Sequence, residues 1–142
     1  METTTLIENL NSDLKNEWKH LRFYLHHASK ITGLHCEEYK EFLLKSAASE
    51  MEHVTAFSDL IVGLGGTPTQ ESNEFPSLET PEDILCYAAK MEKEVFENYH
   101  TRMNEAEALG CAEGRWIVIF LEDQMKDSRQ DLDHLKQILK NI

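Results

Sequence analysis

The sequence predicts an all-α protein built as a four-helix bundle, and three observations support that prediction. Four long segments carry apolar residues at the three- and four-residue steps of a buried helix face. No segment shows the strict alternation of apolar and polar residues that is typical of a half-buried β-strand. The length of 142 residues suits one domain with a substantial core, so we expect residues 1–142 to form a single domain.

Capping residues and glycines define the ends of the predicted helices. Thr80 and Pro81 form a strong start signal, because threonine caps a helix and proline fits its first position. Gly33 and Gly110 each stop the apolar pattern that precedes them. The four predicted helices cover residues 4–32, 36–63, 81–109 and 112–140.

The lengths of the connections predict how the helices are arranged. Only a few residues join helix one to helix two and helix three to helix four, which makes each pair an antiparallel hairpin. Residues 64–80 carry no regular pattern, and at up to ~3.3 Å per residue they can run the whole length of the bundle. The sequence therefore predicts two hairpins joined by a long crossover loop.

Each predicted interior row is apolar toward at least one end and polar in its middle. The rows, counted in alternate steps of three and four, are Leu10, Leu14, Glu17, Leu21, Tyr24, Ala28 and Ile31; Tyr39, Leu43, Ser46, Glu50, His53, Phe57, Leu60 and Leu64; Ile84, Tyr87, Met91, Glu94, Asn98 and Thr101; and Ile117, Leu121, Gln124, Ser128, Asp131, Leu135, Ile138 and Ile142. Because the helices alternate in direction, the polar positions fall at one depth. The predicted central layer contains Glu17, Glu50, His53, Glu94 and one of Gln124, Ser128 or Asp131.

A Glu-x-x-His motif lies in this layer. Glu50 and His53 are three residues apart, so they share one helix face and can reach a single ion. Di-iron carboxylate bundles usually carry two such motifs on two helices, and we find only one. Three buried glutamates with one histidine lack neutralising charge, which makes a bound cation the simplest compensation. The alternative is that the acids are solvated or form salt bridges with residues off the rows, namely Lys19, His20, Arg22 and Lys45.

Composition excludes several classes of function. The formal charge of -12 repels phosphate backbones and anionic lipid headgroups, which argues against nucleic-acid and membrane partners. The longest apolar run, Trp116 to Leu121, is far shorter than a membrane span, and the N-terminus lacks the basic segment of a signal peptide. The three cysteines are scattered and unpaired in spacing, so we expect reduced thiols and a cytoplasmic protein.

Two segments carry a family resemblance. Glu17-Trp18-Lys19-His20-Leu21-Arg22-Phe23-Tyr24-Leu25-His26-His27-Ala28 and Ser49-Glu50-Met51-Glu52-His53 resemble the first two helices of bacterioferritin. The resemblance implies a ferritin-like bundle in which Glu17, Glu50 and His53 bind one iron ion, while Glu50 and Glu94 bridge to a second. It also implies that Tyr24 lies beside the site, either as an electron donor in oxygen chemistry or as a buried structural tyrosine.

The fourth helix departs from the bacterioferritin pattern. Leu132-Asp133-His134-Leu135 resembles the segment after the family's second Glu-x-x-His, which places that motif at Ser128 and Asp131. Asp131 retains a carboxylate for the second ion, whereas a serine is a poor iron ligand. A register shifted by one helical turn, as in animal-type ferritins, would instead offer Gln124 and Asp127.

Met51 and the end of the chain bear on cofactor and assembly. Met51 occupies the position where bacterioferritin places its haem-ligating methionine across a two-fold interface, which implies haem b and a homodimer; the alternative is an ordinary interface methionine. Bacterioferritin continues into a fifth helix, and its inner-surface histidine and aspartate are replaced here by Lys45 and Ser49. We therefore do not expect an iron storage cage.

Three functions remain open from the sequence. The first is a bacterioferritin-like oxidoreductase of the ferroxidase type, in which one or two Fe(II) ions bind at the carboxylate layer and are oxidised by dioxygen or peroxide. The second is a non-catalytic dimer that binds a metal ion or haem. The third is a structural or interaction protein whose polar layer is held by hydrogen bonds alone.

Overall fold

The computed structural model describes residues 2–140 as four helices. The helices are α1 (Thr3–Lys30), α2 (Cys36–Gly63), α3 (Pro81–Glu107) and α4 (Ala112–Ile138). Thr80 caps α3 as predicted, since its side-chain oxygen accepts the Asp83 N–H at 3.1 Å. The predicted four-helix fold is confirmed, and the described residues include no strand.

The helices pack as two hairpins, α1 with α2 and α3 with α4, and α1 also lies beside α3. Bonds between α1 and α3 show that these two helices are antiparallel. Asp13 pairs with Arg102, whereas Tyr24, farther along α1, bonds Glu92 earlier on α3. The middles of the helices therefore lie at the same level along the bundle.

The crossover follows α1 from its beginning to its end. Asn11 accepts the Thr69 N–H at 2.8 Å, and the crossover ends beside His27, whose Nε2 accepts the Leu78 N–H at 3.0 Å. Trp18 adds a bond from its indole N–H to the Thr69 carbonyl at 3.0 Å. A connection that runs the length of the bundle is therefore confirmed.

The core has apolar ends and a polar centre. Leu10 and Leu14 at one end and Leu43 at the other are fully buried. Between them lie seven buried polar side chains: Glu17, His20, Glu50, His53, Glu92, Gln124 and Ser128. The predicted row position Ile142 lies outside the described residues. No helix within residues 2–140 has the extended apolar stretch that a bilayer crossing requires.

Candidate metal centre

The first group of candidate ligands joins α1 to α2. Nδ1 of His53 lies 3.5 Å from Oε2 of Glu17 and 3.4 Å from Oε2 of Glu50. All three side chains are buried, with at most 3% of their surface exposed. Glu50 and His53 lie one turn apart on the same face of α2, and Glu17 approaches from α1. This group contains the Glu-x-x-His motif that the sequence predicted.

The second group adds a residue from α3. Nδ1 of His20 lies 3.8 Å from Oε1 of Glu50 and 3.6 Å from Oε1 of Glu92. His20 is 3% exposed and Glu92 is fully buried. Because Glu50 directs one oxygen toward each group, it can bridge two ions held side by side.

The unpartnered atoms of these five side chains fit a pair of metal ions. Within residues 2–140, no hydrogen-bond partner exists for Oε2 of Glu17, Glu50 and Glu92 or for Nδ1 of His20 and His53. A buried polar atom without a partner costs about 1–3 kcal/mol. Ligand atoms bound about 2 Å from one ion lie roughly 3–4 Å apart, and the measured separations of 3.4–3.8 Å match. Carboxylate and imidazole ligands suit iron and similar divalent ions.

The electrostatics of the layer favour an ionised Glu50 and charged imidazoles, whereas burial and the Glu50 carboxylate raise the pKa of Glu17. Burial alone would raise the pKa of Glu50, but the imidazoles of His20 and His53, 3.8 and 3.4 Å away, outweigh burial and lower that pKa to about 2. Burial would likewise lower the pKa of His53, yet the Glu17 and Glu50 carboxylates raise it to about 12. In the same way Glu50 and Glu92 raise the pKa of His20 well above its usual value. Both shifts favour the protonated form of these histidines when no metal is bound.

Two buried tyrosines bond the outer carboxylates of the two groups. The Tyr24 hydroxyl donates to Oε1 of Glu92 at 2.8 Å, and the Tyr99 hydroxyl donates to Oε1 of Glu17. Burial and the neighbouring carboxylates raise the pKa of both phenols well above 10. Each carboxylate thus uses one oxygen for a tyrosine and keeps the other for an ion.

Helix α4 contributes side chains around the two groups rather than a second Glu-x-x-His. Oδ2 of Asp127, which is half-exposed, lies 3.3 Å from Nε2 of His53. That contact holds the ring with Nε2–H toward Asp127 and Nδ1 toward the glutamates, the arrangement a metal-binding histidine needs. Burial and the Glu92 and Glu50 carboxylates raise the pKa of Asp131 to about 7. Ser128, in contrast, is fully buried and its hydroxyl has no partner among residues 2–140.

The structure does not bring Glu94 to the site, so this predicted ligand is corrected to Glu92. Glu94 is exposed on α3, whereas Glu92 is fully buried beside His20. The predicted row began at Ile84 and reached positions that are exposed or only partly buried. The buried row instead includes Leu85, Ala88, Glu92, Val95, Tyr99 and Ala106. Starting one residue later would have identified it, because this row is more apolar than the one chosen.

The structure also shows that a second Glu-x-x-His motif is buried at the site. Glu17-Trp18-Lys19-His20 has the same spacing as Glu50 to His53, but it lies on α1 rather than α4. His20 was expected off the interior rows and is in fact buried against Glu50 and Glu92. The motif was missed because α1 buries two adjacent rows, and only one of them was counted.

The other predicted site residues are placed as follows. Glu17, Glu50 and His53 are brought together in the first group. Tyr24 lies beside the second group, where its hydroxyl donates a hydrogen bond to Glu92. Asp131 is half-buried near the same group. Met51 is 56% exposed on the outer surface of α2, and haem binding there stays a prediction. Metal binding by the five buried ligands also stays a prediction.

The comparisons with known proteins agree with this architecture. The ferritin-like domain model matches residues 7–142. The crystal structure of ferritin-like, di-iron-carboxylate proteins from Bacillus anthracis str. Ames superposes with a TM-score of 0.92 at 29% identity, covering 99% of this chain and 100% of that one. No curated protein matches the sequence.

Two further structures share the fold at lower identity. The DPS protein from Vibrio cholerae O1 has a TM-score of 0.90 at 12% identity, with 97% of this chain and 91% of that chain covered. Rhodobacter capsulatus bacterioferritin, described with a metal-free dinuclear site and a haem iron, has a TM-score of 0.77 at 19% identity, with 94% and 82% covered. Because the family model matches nearly the whole chain, this protein belongs to the ferritin-like domain family.

Proposed function

We propose that this protein binds two Fe(II) ions in the centre of its bundle and oxidises them with dioxygen or peroxide. The observation that carries the proposal is the pair of buried groups, Glu17, Glu50 and His53 on one side and His20, Glu50 and Glu92 on the other. Glu50 belongs to both, so the two ions would lie next to each other. Adjacent ions allow two electrons to reach one oxidant molecule.

The reaction balances with iron as substrate. Two Fe(II) ions each lose one electron, and dioxygen takes up these two electrons and two protons to reach the oxidation level of hydrogen peroxide. With peroxide as oxidant, two electrons and two protons give two water molecules. Carboxylates stabilise Fe(III) better than Fe(II), which favours oxidation. The Tyr24 hydroxyl donates a hydrogen bond to Glu92, a ligand of the proposed second ion. From this position Tyr24 can supply a further electron.

One observation favours a non-catalytic alternative. The two protonated histidines can offset most of the charge of Glu17, Glu50 and Glu92, so the polar layer does not require a cation in order to be neutralised. The layer could then be structural, or it could bind a metal ion without promoting its oxidation. The unpartnered Oε2 and Nδ1 atoms argue against the purely structural form.

Aerobic iron oxidation by a matched pair of variants tests the proposal. Wild-type protein given two Fe(II) per chain should show a rapid rise in ferric absorbance. Glu50→Gln should reduce that rate to the rate in buffer, because it removes the shared ligand. Glu52→Gln, a change on the exposed side of the same helix, should retain the wild-type rate.

Different outcomes would favour the alternatives. Equal rates in wild type and Glu50→Gln would contradict oxidation at this site. Stoichiometric binding of Fe(II) without faster oxidation would indicate the non-catalytic metal-binding protein. Failure to bind Fe(II), Mn(II) or Zn(II) would indicate a structural layer.

Haem and dimer formation are a separate proposal that rests on Met51 alone. The side chain is 56% exposed and lies away from the metal groups, as a ligand shared across an interface would. Added haem should give a sharp visible spectrum at one haem per two chains, and Met51→Leu should abolish it. Sedimentation equilibrium should show a dimer, and a haem-independent monomer would contradict this proposal.

A further inference from the structure

We propose that Tyr99 is a redox-active tyrosine that, together with Tyr24, supplies the two electrons that complete the reduction of dioxygen to water at the metal centre. This inference rests on the proposed iron oxidation and assigns the remaining electrons. It concerns a residue outside the expected ligand set, on the α3 face opposite Glu17.

The two tyrosines occupy equivalent positions in the two halves of the centre. Tyr24 follows Glu17 by seven residues on α1, and Tyr99 follows Glu92 by seven residues on α3. Each hydroxyl donates to the glutamate of the other helix, Tyr24 to Glu92 and Tyr99 to Glu17. Each ion would therefore have one carboxylate ligand that accepts a hydrogen bond from a tyrosine. The hydrogen-bond geometry that supports a redox role for Tyr24 is thus present at Tyr99 as well.

The number of electrons that dioxygen needs assigns a role to the two tyrosines. Reduction of dioxygen to two water molecules needs four electrons, and two Fe(II) ions provide two. One dioxygen, two Fe(II), two tyrosines and two solvent protons yield two Fe(III), two neutral tyrosyl radicals and two waters. Each phenolic proton passes first to the carboxylate oxygen that already accepts it, Oε1 of Glu17 or Oε1 of Glu92.

Tyr99 also has an aromatic connection to the protein surface. Its ring stacks on Phe57 at a centroid distance of 6.0 Å, and Phe57 contacts Phe120 edge to face at 5.1 Å. Trp116 lies one turn before Phe120 on the same face of α4, and both line a surface cavity of about 270 Å³. Trp116 is 56% exposed, so a diffusible one-electron reductant can reach it and return the electron to Tyr99.

Freeze-quenched electron paramagnetic resonance tests the assignment directly. Protein loaded with two Fe(II) per chain and mixed with dioxygen should form tyrosyl radicals while releasing little hydrogen peroxide. Tyr99→Phe keeps the ring that stacks on Phe57 but lacks the hydroxyl, so it should lose about half the radical signal and release peroxide. Trp116→Phe, which keeps both tyrosines, should slow the decay of the Tyr99 radical in the presence of ascorbate.

Controls separate this inference from the proposed function and from misfolding. Tyr39→Phe, at the far end of α2, should keep the wild-type radical yield. Binding of two Zn(II) ions by Tyr99→Phe should show that the variant folds and that its ligands are in place. Iron oxidation with an unchanged radical and peroxide yield in Tyr99→Phe overturns the tyrosine assignment alone, and an unchanged decay in Trp116→Phe overturns the route. If the wild-type protein oxidises no iron, both the proposed function and the tyrosine assignment are wrong.

Discussion

The two hairpins of the bundle contribute unequally to the metal centre. The α1–α2 hairpin supplies four of the five buried candidate ligands, Glu17, His20, Glu50 and His53. Within residues 2–140 the α3–α4 hairpin supplies only Glu92, and at the matching depth of α4 lies the buried Ser128, whose hydroxyl has no partner among those residues. The two Glu-x-x-His motifs whose residues are buried thus lie in one hairpin, and a third, Glu97 to His100 on α3, is exposed.

The difference between the hairpins shows that the second histidine ligand of such a bundle need not come from the fourth helix. A site between helices needs a given set of side chains at one depth, and it does not matter which helix carries each of them. Here His20 of α1 occupies the second group, which a histidine of α4 was expected to serve. The second hairpin still closes the site, because Tyr99 bonds Glu17 and Asp127 contacts His53.

Removal of either histidine should have the largest effect. His20→Ala and His53→Ala should each lower the number of tightly bound Zn(II) ions from two to one, since each removes one ligand nitrogen and leaves Glu50 for the other ion. The affinity at the damaged position should fall by on the order of 100-fold or more. Isothermal titration would measure both the number of ions and their affinity.

His26→Ala, an exposed position on α1, is the matched control. Tight binding of two Zn(II) ions by His20→Ala would show that the first hairpin does not hold both positions.

Replacement of the single ligand from the second hairpin should have a smaller, selective effect. Glu92→Gln should weaken the second ion by about 100-fold and leave the first, because Glu92 faces His20 and not His53. Glu94→Gln should change neither ion, since Glu94 is exposed two residues away. Metal titration of the two variants side by side would decide between them. Weakening by Glu94→Gln with no effect of Glu92→Gln would restore the row predicted from the sequence.

Metal binding should release protons from the first hairpin. His53 has a pKa raised to about 12 by Glu17 and Glu50, and His20 is raised in the same direction, so both must lose a proton before Nδ1 can bind an ion. Affinity for each ion should therefore rise with pH, by about tenfold per unit for one proton released. Calorimetry of Zn(II) binding in buffers of different ionisation enthalpy would count the protons. Uptake of two ions without proton release would show that the histidines are neutral in the metal-free protein.

The smallest effect should come from the buried serine of the second hairpin. Ser128→Ala removes a hydroxyl that has no partner within residues 2–140, so the free energy of unfolding should rise by about 1 kcal/mol with metal affinity unchanged. Ser46→Ala on α2 removes a hydroxyl that donates to the Phe42 carbonyl at 3.0 Å, and should lower that free energy by up to about 1 kcal/mol. Urea unfolding of the metal-free proteins would compare them. Loss of metal affinity in Ser128→Ala would instead make the serine a ligand.

Residues on α2 and α3 show why part of the site was predictable and part was not. On α2 Leu43 and Phe57 lie one heptad before and after Glu50, so the apolar pattern places Glu50 and its neighbour His53 on the interior face. On α3 two rows one residue apart both include apolar side chains, and the less apolar row was chosen, so Glu94 was predicted in place of Glu92. On α1 the helix buries a second row containing Asp13, His20 and His27, so a single-row count overlooked His20.

Local pattern by itself determined the four helices, the crossover and the Glu-x-x-His on α2, because capping residues, glycines and heptad spacing act within one helix or one loop. The tertiary structure decided which carboxylate of α3 faces inward, that His20 completes the second group, and that Tyr99 bonds Glu17. Those outcomes depend on how each helix is rotated against its neighbours. Rotation is set by packing against the neighbouring helices, and one residue of register changes which side chain reaches the centre.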